Sequence, residues 1–130
     1  MISMRVFGVE SKLSMEELCE YLERVDAVAL RPDMVESIEE LELAFHLARK
    51  AFQKKKNIAR KLKYEFLLWL SGTRDIDSAM KRTLPEGKGF LLVAFSDIGK
   101  PPARLKTKKK TGLRAHGDPL RIERISLSRL

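Results

Sequence analysis

Residues 89–95 read GFLLVAF, a nearly continuous apolar run of strand length. Such a run fits a strand buried on both faces, so the rest of the chain has to supply cover for two sides of a sheet. Candidate partner strands are short. Ile2, Met4 and Val6 alternate ahead of Gly8, and residues 26–30 (DAVAL) form a second run stopped by Arg31-Pro32. Helices are signalled more strongly. Ser14 with Glu17 and Ser37 with Glu40 have the spacing of capping boxes. The first opens a helix with Met15, Leu18, Cys19 and Leu22 on one face; the second opens a long helix with Leu41, Phe45, Ala48 and Phe52 as its buried stripe. Asn57 reads as the N-cap of a further helix carrying Ile58, Leu62, Phe66 and Leu70, which Gly72 stops. Ile76, Ala79 and Met80 mark a shorter helix; Leu120, Ile122, Ile125 and Leu127 fit strand or helix equally. A Lys-rich exposed loop is expected at about 99–118, around Pro101-Pro102. The expectation is an α+β fold, a single domain over residues 1–130 with a small β-sheet packed against a layer of helices.

Charge is distributed unevenly enough to point at a partner. Residues 1–45 hold eleven acids and four bases, while residues 46–130 hold twenty-two bases and seven acids, within a net charge of +8. Residues 49–63 carry eight cations and no acid, and residues 100–110 carry six and no acid. Blocks of this kind raise the local concentration of polyanions and suit a phosphate-bearing partner. A membrane surface fits less well, because no helix pairs these cations with a broad exposed aromatic face. No apolar run approaches the roughly 20 residues of a bilayer span, and the first ten residues lack a signal-peptide core. Cys19, the one cysteine, excludes an internal disulfide and suits a reducing compartment, so a cytoplasmic protein is expected.

Groups able to do chemistry are scarce. No phosphate-binding GxxxxGK[ST] loop is present, and Gly87-Lys88-Gly89 ahead of a strand reads as a turn. His46 and His116 lie far apart in the sequence, and Glu16-Glu17 and Glu39-Glu40 are accounted for by helix starts. A metal-dependent nuclease centre can be drawn from Asp75, Asp77 and Lys81, but their spacing is not specific. Neither a catalytic residue, a metal site nor a cofactor is expected.

Residues 57–82 (NIARKLKYEFLLWLSGTRDIDSAMKR) are where charge and pattern meet. A basic segment enters an apolar, aromatic helix, and a Ser71-Gly72-Thr73-Arg74 turn leads into the next helix. Gly72 as a stop and Thr73 or Asp75 as a cap explain the turn structurally. Arg74 beside a helix start adds a guanidinium suited to a phosphate.

The pattern LxxEFLLxLSGxRxI…A over residues 62–79 resembles the smallest core subunit of the KEOPS complex, the Cgi-type, TPRKB-like family, in an archaeal-looking form. The family motif sets a leucine-rich helix before Ser-Gly-x-Arg, usually Gln, then Ile and a small helical residue; here these are Ser71, Gly72, Arg74, Asp75, Ile76 and Ala79. Asp75 departs from the usual Gln, placing an anion where a nucleic acid contact is expected, and the Lys-rich loop is unlike the usual C-terminal portion. The resemblance implies a non-catalytic regulatory subunit. Such a subunit docks on the small atypical kinase/ATPase of the complex and captures the single-stranded 3′ CCA end of tRNA. It thereby supports N6-threonylcarbamoyladenosine formation by the transferase subunit. On that reading Lys54, Lys55, Lys56, Asn57, Arg60 and Lys61 attract acceptor phosphates, while Ser71, Gly72, Thr73 and Arg74 hold the terminal nucleotides. Ile76, with Tyr64 or Trp69, packs on an unstacked base. Met80, Ile122, Ile125 and Leu127 are candidates for the partner-binding surface. The alternatives are a free-standing basic RNA- or DNA-binding module and, with less support, the metal-dependent nuclease.

Overall fold

A computed structural model of the chain describes residues 4–108 and 111–127. The fold is α+β: among the described residues, five α-helices, a short 3-10 turn (Pro32–Met34) and one four-stranded antiparallel sheet. The residues fall into two compact units, one drawn from Met1–Pro32 and Leu84–Gly112, the other from Asp33–Thr83 and Leu113–Leu130.

The first unit is the sheet with one helix. Strands β1 (Arg5–Ser11), β2 (Ala27–Leu30), β3 (Gly89–Ala94) and β4 (Leu105–Lys108) lie in the order β2-β3-β1-β4. The GFLLVAF run is a central strand, as its composition requires, paired with β1 on one side (Val6↔Val93) and β2 on the other (Val28↔Val93). Its residues 90–95 are all buried. Even-numbered positions Phe90, Leu92 and Ala94 join Val9, Ala27, Ala29 and Leu105 in a core that receives Leu18 and Leu22 of helix α1 (Met15–Arg24). The Ser14–Glu17 capping box forms in both directions, at 3.1 Å each way.

Two sequence expectations need correction here. The first strand runs through Gly8 to Ser11 rather than stopping before the glycine; Gly8 is buried between Leu91 and Lys108 of the flanking strands, where a small residue fits. Ile2 lies outside the described residues. The Lys-rich segment is not all loop, because residues 105–108 pair with β1 as an edge strand (Ser11↔Leu105, Gly8↔Lys108). Its LKTK sequence carries little intrinsic strand signal; the partner strand supplies the ladder, and the exposed lysines are of the kind that keep an edge from pairing further.

The second unit is helical. Helix α3 (Leu62–Ser71) packs against α2 (Ile38–Gln53), α4 (Ile76–Thr83) and α5 (Pro119–Leu127). The ambiguous last segment is therefore helix, and Ile125, expected on the exposed face, is 3% exposed and belongs to the core. Helix α2 buries Leu41, Ala44, Ala48 and Ala51; Phe45 and Phe52 are only half-buried, because close approach by α3 selects the small residues.

The start of α2 is tied to the chain before α5. Its Ile38 and Glu39 N–H groups donate to the Arg114 and Ala115 carbonyls, at 2.8 and 3.2 Å. Gly117 then passes so close to the N-cap that a Cβ there would lie 2.5 Å from Ser37 Oγ. At the centre is Glu40, 2% exposed. Its Oε2 accepts the Glu36 and Ser37 N–H groups at 2.9 and 2.8 Å and the Ser37 hydroxyl at 3.0 Å; its Oε1 accepts Arg121 Nε at 2.8 Å. Burial pushes this carboxyl up, but the Arg121 guanidinium, the Glu36 and Ser37 N–H groups and the Ser37 hydroxyl outweigh it and hold its pKa below the ordinary value. Since the folded-state value lies below the unfolded one, the stabilisation is complete above the unfolded pKa of about 4.3 and is lost as pH falls through the folded value. Chemical denaturation is expected to show stability declining as pH falls below about 4.3, with a flatter decline in Glu40→Gln. Arg121→Met, which leaves a buried carboxylate without its guanidinium, is expected to cost about 3 kcal/mol at pH 7.

Candidate nucleic-acid interface

The cation-rich turn after α2 owes its shape to an unusual helix ending. Lys55 and Lys56 N–H groups donate to the Phe52 and Ala51 carbonyls at 3.2 and 2.8 Å, the bonding pattern of a Schellman motif. The position that normally takes glycine holds Lys55, at φ 57°, among the described residues the only non-glycine with positive φ. A side chain in that left-handed conformation costs about 1 kcal/mol, so the turn carries strain in a place that presents a cation.

The next five residues are not helical, although the sequence reads Asn57 as an N-cap. Helix α3 begins at Leu62, and Asn57 Nδ2 donates to the Ala59 carbonyl at 2.9 Å instead. The reason is Glu65. Its carboxylate is fully buried, and Oε1 accepts the Ile58 and Ala59 N–H groups, each at 2.9 Å. These bonds fold residues 57–61 back over α3, burying Ala59 and leaving Ile58 46% exposed. Lys63, counted within the basic block, is withdrawn from the surface at 3% exposure, with its ammonium 5.2 Å from the Tyr64 ring centroid. Arg60 and Lys61 remain exposed.

At its other end α3 closes on Gly72, left-handed at φ 70°, with the Gly72 and Thr73 N–H groups donating to the Leu68 carbonyl. The Ser71 hydroxyl donates to the Leu67 carbonyl at 2.7 Å, and Arg82 Nη1 donates to the Ser71 carbonyl. Thr73 Oγ1 accepts the Asp75 N–H, and Asp75 Oδ2 accepts both the N–H and the hydroxyl of Ser78, at 3.1 and 2.7 Å. The Ser78 hydroxyl and N–H hold the Asp75 carboxyl below its ordinary pKa. The start of α4 is thus a capped helix end already facing an anion.

A cavity of about 440 Å³ lies beside these two turns, lined by Leu47, Lys50, Ala51, Lys54, Lys56, Ile58, Trp69 and Arg74. It brings together three residues singled out for RNA (Lys54, Lys56 and Arg74) with Trp69, which is half-buried. Lys55, Asn57, Arg60, Lys61, Ser71, Gly72, Thr73 and Ile76 do not line it; Ile76 stands 36% exposed on α4. Of the apolar partner candidates, Met80 and Ile122 are half-buried and Leu127 is 47% exposed. Lys50, Ile58 and Glu65 were missed as site residues. Glu65 alone had a signal, as the single acid following eight cations at the head of an apolar helix. With four cations, an indole and an isoleucine among its lining residues, the cavity is suited to a flexible anion that also offers a flat apolar face.

No group of three or more His, Cys, Asp or Glu side chains placed to hold a metal occurs among the described residues, and none of their helices is long and apolar enough to cross a membrane. No protein-family model matches the sequence, nor does any curated protein.

Lys55→Gly relieves the left-handed strain and is expected to raise stability by about 1 kcal/mol in urea denaturation. Glu65→Ala leaves the buried Ala59 N–H and the part-buried Ile58 N–H without their acceptor and should cost about 2 kcal/mol; Glu65→Gln, which retains the carbonyl oxygen, should cost markedly less in the same assay.

Proposed function

We propose that this chain is a non-catalytic RNA-binding accessory subunit of the KEOPS type, which takes the single-stranded 3′ CCA end of tRNA and docks on the complex's small kinase/ATPase. The observation that carries the reading is the cavity in which Lys50, Lys54, Lys56 and Arg74 surround an apolar wall of Ile58 and Trp69. A single-stranded RNA end matches both halves of that lining. Its phosphates are drawn by the cations in a salt-dependent manner, and its unstacked terminal bases have π-faces that pack on an indole. Double-stranded RNA matches only the first half.

The resemblance over residues 62–79 supports the same ligand, since Arg74 of the Ser-Gly-x-Arg turn lines the cavity and Glu65 of the same stretch shapes its loop. The capped start of α4 leaves the phosphate contacts, on this reading, to the four cations. It also gives Asp75 a structural reason to replace the family's Gln, because its carboxylate serves Ser78. Met80, Ile122 and Leu127 remain the apolar candidates for the kinase contact.

The test compares intact tRNA with tRNA trimmed of its CCA end by fluorescence anisotropy at fixed salt. Intact tRNA is expected to bind at least tenfold tighter than trimmed tRNA to the wild type, and Arg74→Glu, checked as folded by circular dichroism, should remove that difference. Equal affinity for the two RNAs would sink the reading in favour of a free-standing basic module. Magnesium-dependent RNA cleavage that is abolished by Asp77→Ala would sink it in favour of a nuclease.

A further inference from the structure

A second cavity, of about 520 Å³, lies wholly within the sheet unit and is lined by Glu10, Ser11, Lys12, Lys88, Gly89, Ala103, Arg104 and Lys106. Its construction follows from the strand register. Lys106 on β4, Glu10 on β1 and Gly89 on β3 are consecutive cross-strand partners, so they form one row on one face of the sheet. The row ends in a residue with no side chain, which leaves room at the end of β3. Packing does not demand that glycine: a Cβ there would meet only the Val9 carbonyl oxygen, at 3.9 Å.

The charges around the cavity are sorted. Arg104 is committed to the protein, with Nη1 donating to both carboxylate oxygens of Glu17 at 3.2 and 3.1 Å and Nη2 donating to the Lys12 carbonyl. Glu10 is paired with Lys108 on the neighbouring strand. Main-chain bonds from Ser11 N–H to the Lys88 carbonyl (2.7 Å) and from Lys12 N–H to the Arg104 carbonyl (2.8 Å) hold the three wall segments together. What remains for a ligand is the ammonium groups of Lys12 and Lys88, on segments held by those bonds, and that of Lys106 on β4, which also lies in the field of Glu10, its cross-strand partner. No aromatic side chain lines the cavity, so it has no platform for a base.

We propose that this cavity is a second anion site, one that holds two or more neighbouring phosphates of an RNA backbone or a free polyphosphate without reading bases. Lysines act as point charges, which suits closely spaced phosphate oxygens better than a single carboxylate. The site stands apart from the Trp69 cavity in residues, unit and chemistry, and holds whether or not the CCA reading does. Its consequence is a salt-dependent grip on duplex RNA that is independent of any single-stranded end.

Two probes test it on the full chain: a blunt RNA hairpin with no overhang, and inorganic tripolyphosphate. Binding of one or both is expected. The double variant Lys12→Glu/Lys88→Glu should weaken it at least tenfold and lower the slope of log K against log salt by about 2, since each phosphate contact contributes about 0.9. Gly89→Gln leaves the charge unaltered and fills the open end of the row, and should also weaken binding severalfold. In the wild type, tripolyphosphate should shift the amide resonances of Ser11 and Gly89, a readout that needs no variant. Binding of the hairpin alone or of tripolyphosphate alone, lost in the same variants, supports the site and identifies the source of the phosphates. Failure of both probes to bind overturns it. So does weakening by the charge reversals with Gly89→Gln at wild-type affinity, which would mean diffuse attraction in place of a cavity.

Discussion

Helix α3 is covered by α2, α4 and α5, and so it must bring its own charged groups into the interior. Burying a carboxylate is costly unless hydrogen bonds meet it, and Glu65 meets the Ile58 and Ala59 N–H groups. That arrangement serves two ends at once. The carboxylate acquires donors, and the chain between α2 and α3 acquires a fixed course over the helix in place of another helical turn. The rest of the helical unit's surface follows from it: Ile58 faces outward, Ala59 inward, and the cations of the α2 terminus stand across a cavity from Trp69 and Arg74.

A comparable device fixes the other end of α2. Glu40, also buried, gathers two main-chain N–H groups, a hydroxyl and the Arg121 guanidinium, and thereby clamps α5 to the start of the helix. Both glutamates sit among donors that the backbone must satisfy in any case, which is why two buried acids are tolerable in a unit of this size. The positive charge, by contrast, is largely left outside. Lys63 is the exception, and its removal to the interior shows that a run of cations in sequence is not the same as a cationic surface.

The cations that do reach the surface fall into two chemically different settings. In the helical unit they rim an indole-lined hollow; in the sheet unit they rim a hollow with no aromatic side chain. The first setting suits a ligand with bases to offer and the second a ligand met only through phosphates.

Local pattern and composition carry the α+β class, the buried strand within residues 89–95, both capping boxes, the stop at Gly72 and the concentration of positive charge after residue 45. All of these are local or compositional: caps act over three residues, burial of a strand needs only continuous apolarity, and charge is additive. Tertiary structure decided the rest. Residues 57–61 became a loop because a buried carboxylate out-competed the helix for their N–H groups, residues 105–108 became a strand because β1 had an edge to pair, and Ile125 went inward because α5 packs on α2 and α3. Lys50 and Ile58 joined Arg74 around one cavity through the packing of α2 on α3. None of these outcomes is written in its own segment, because each depends on hydrogen-bonding groups or apolar surface supplied by another part of the chain.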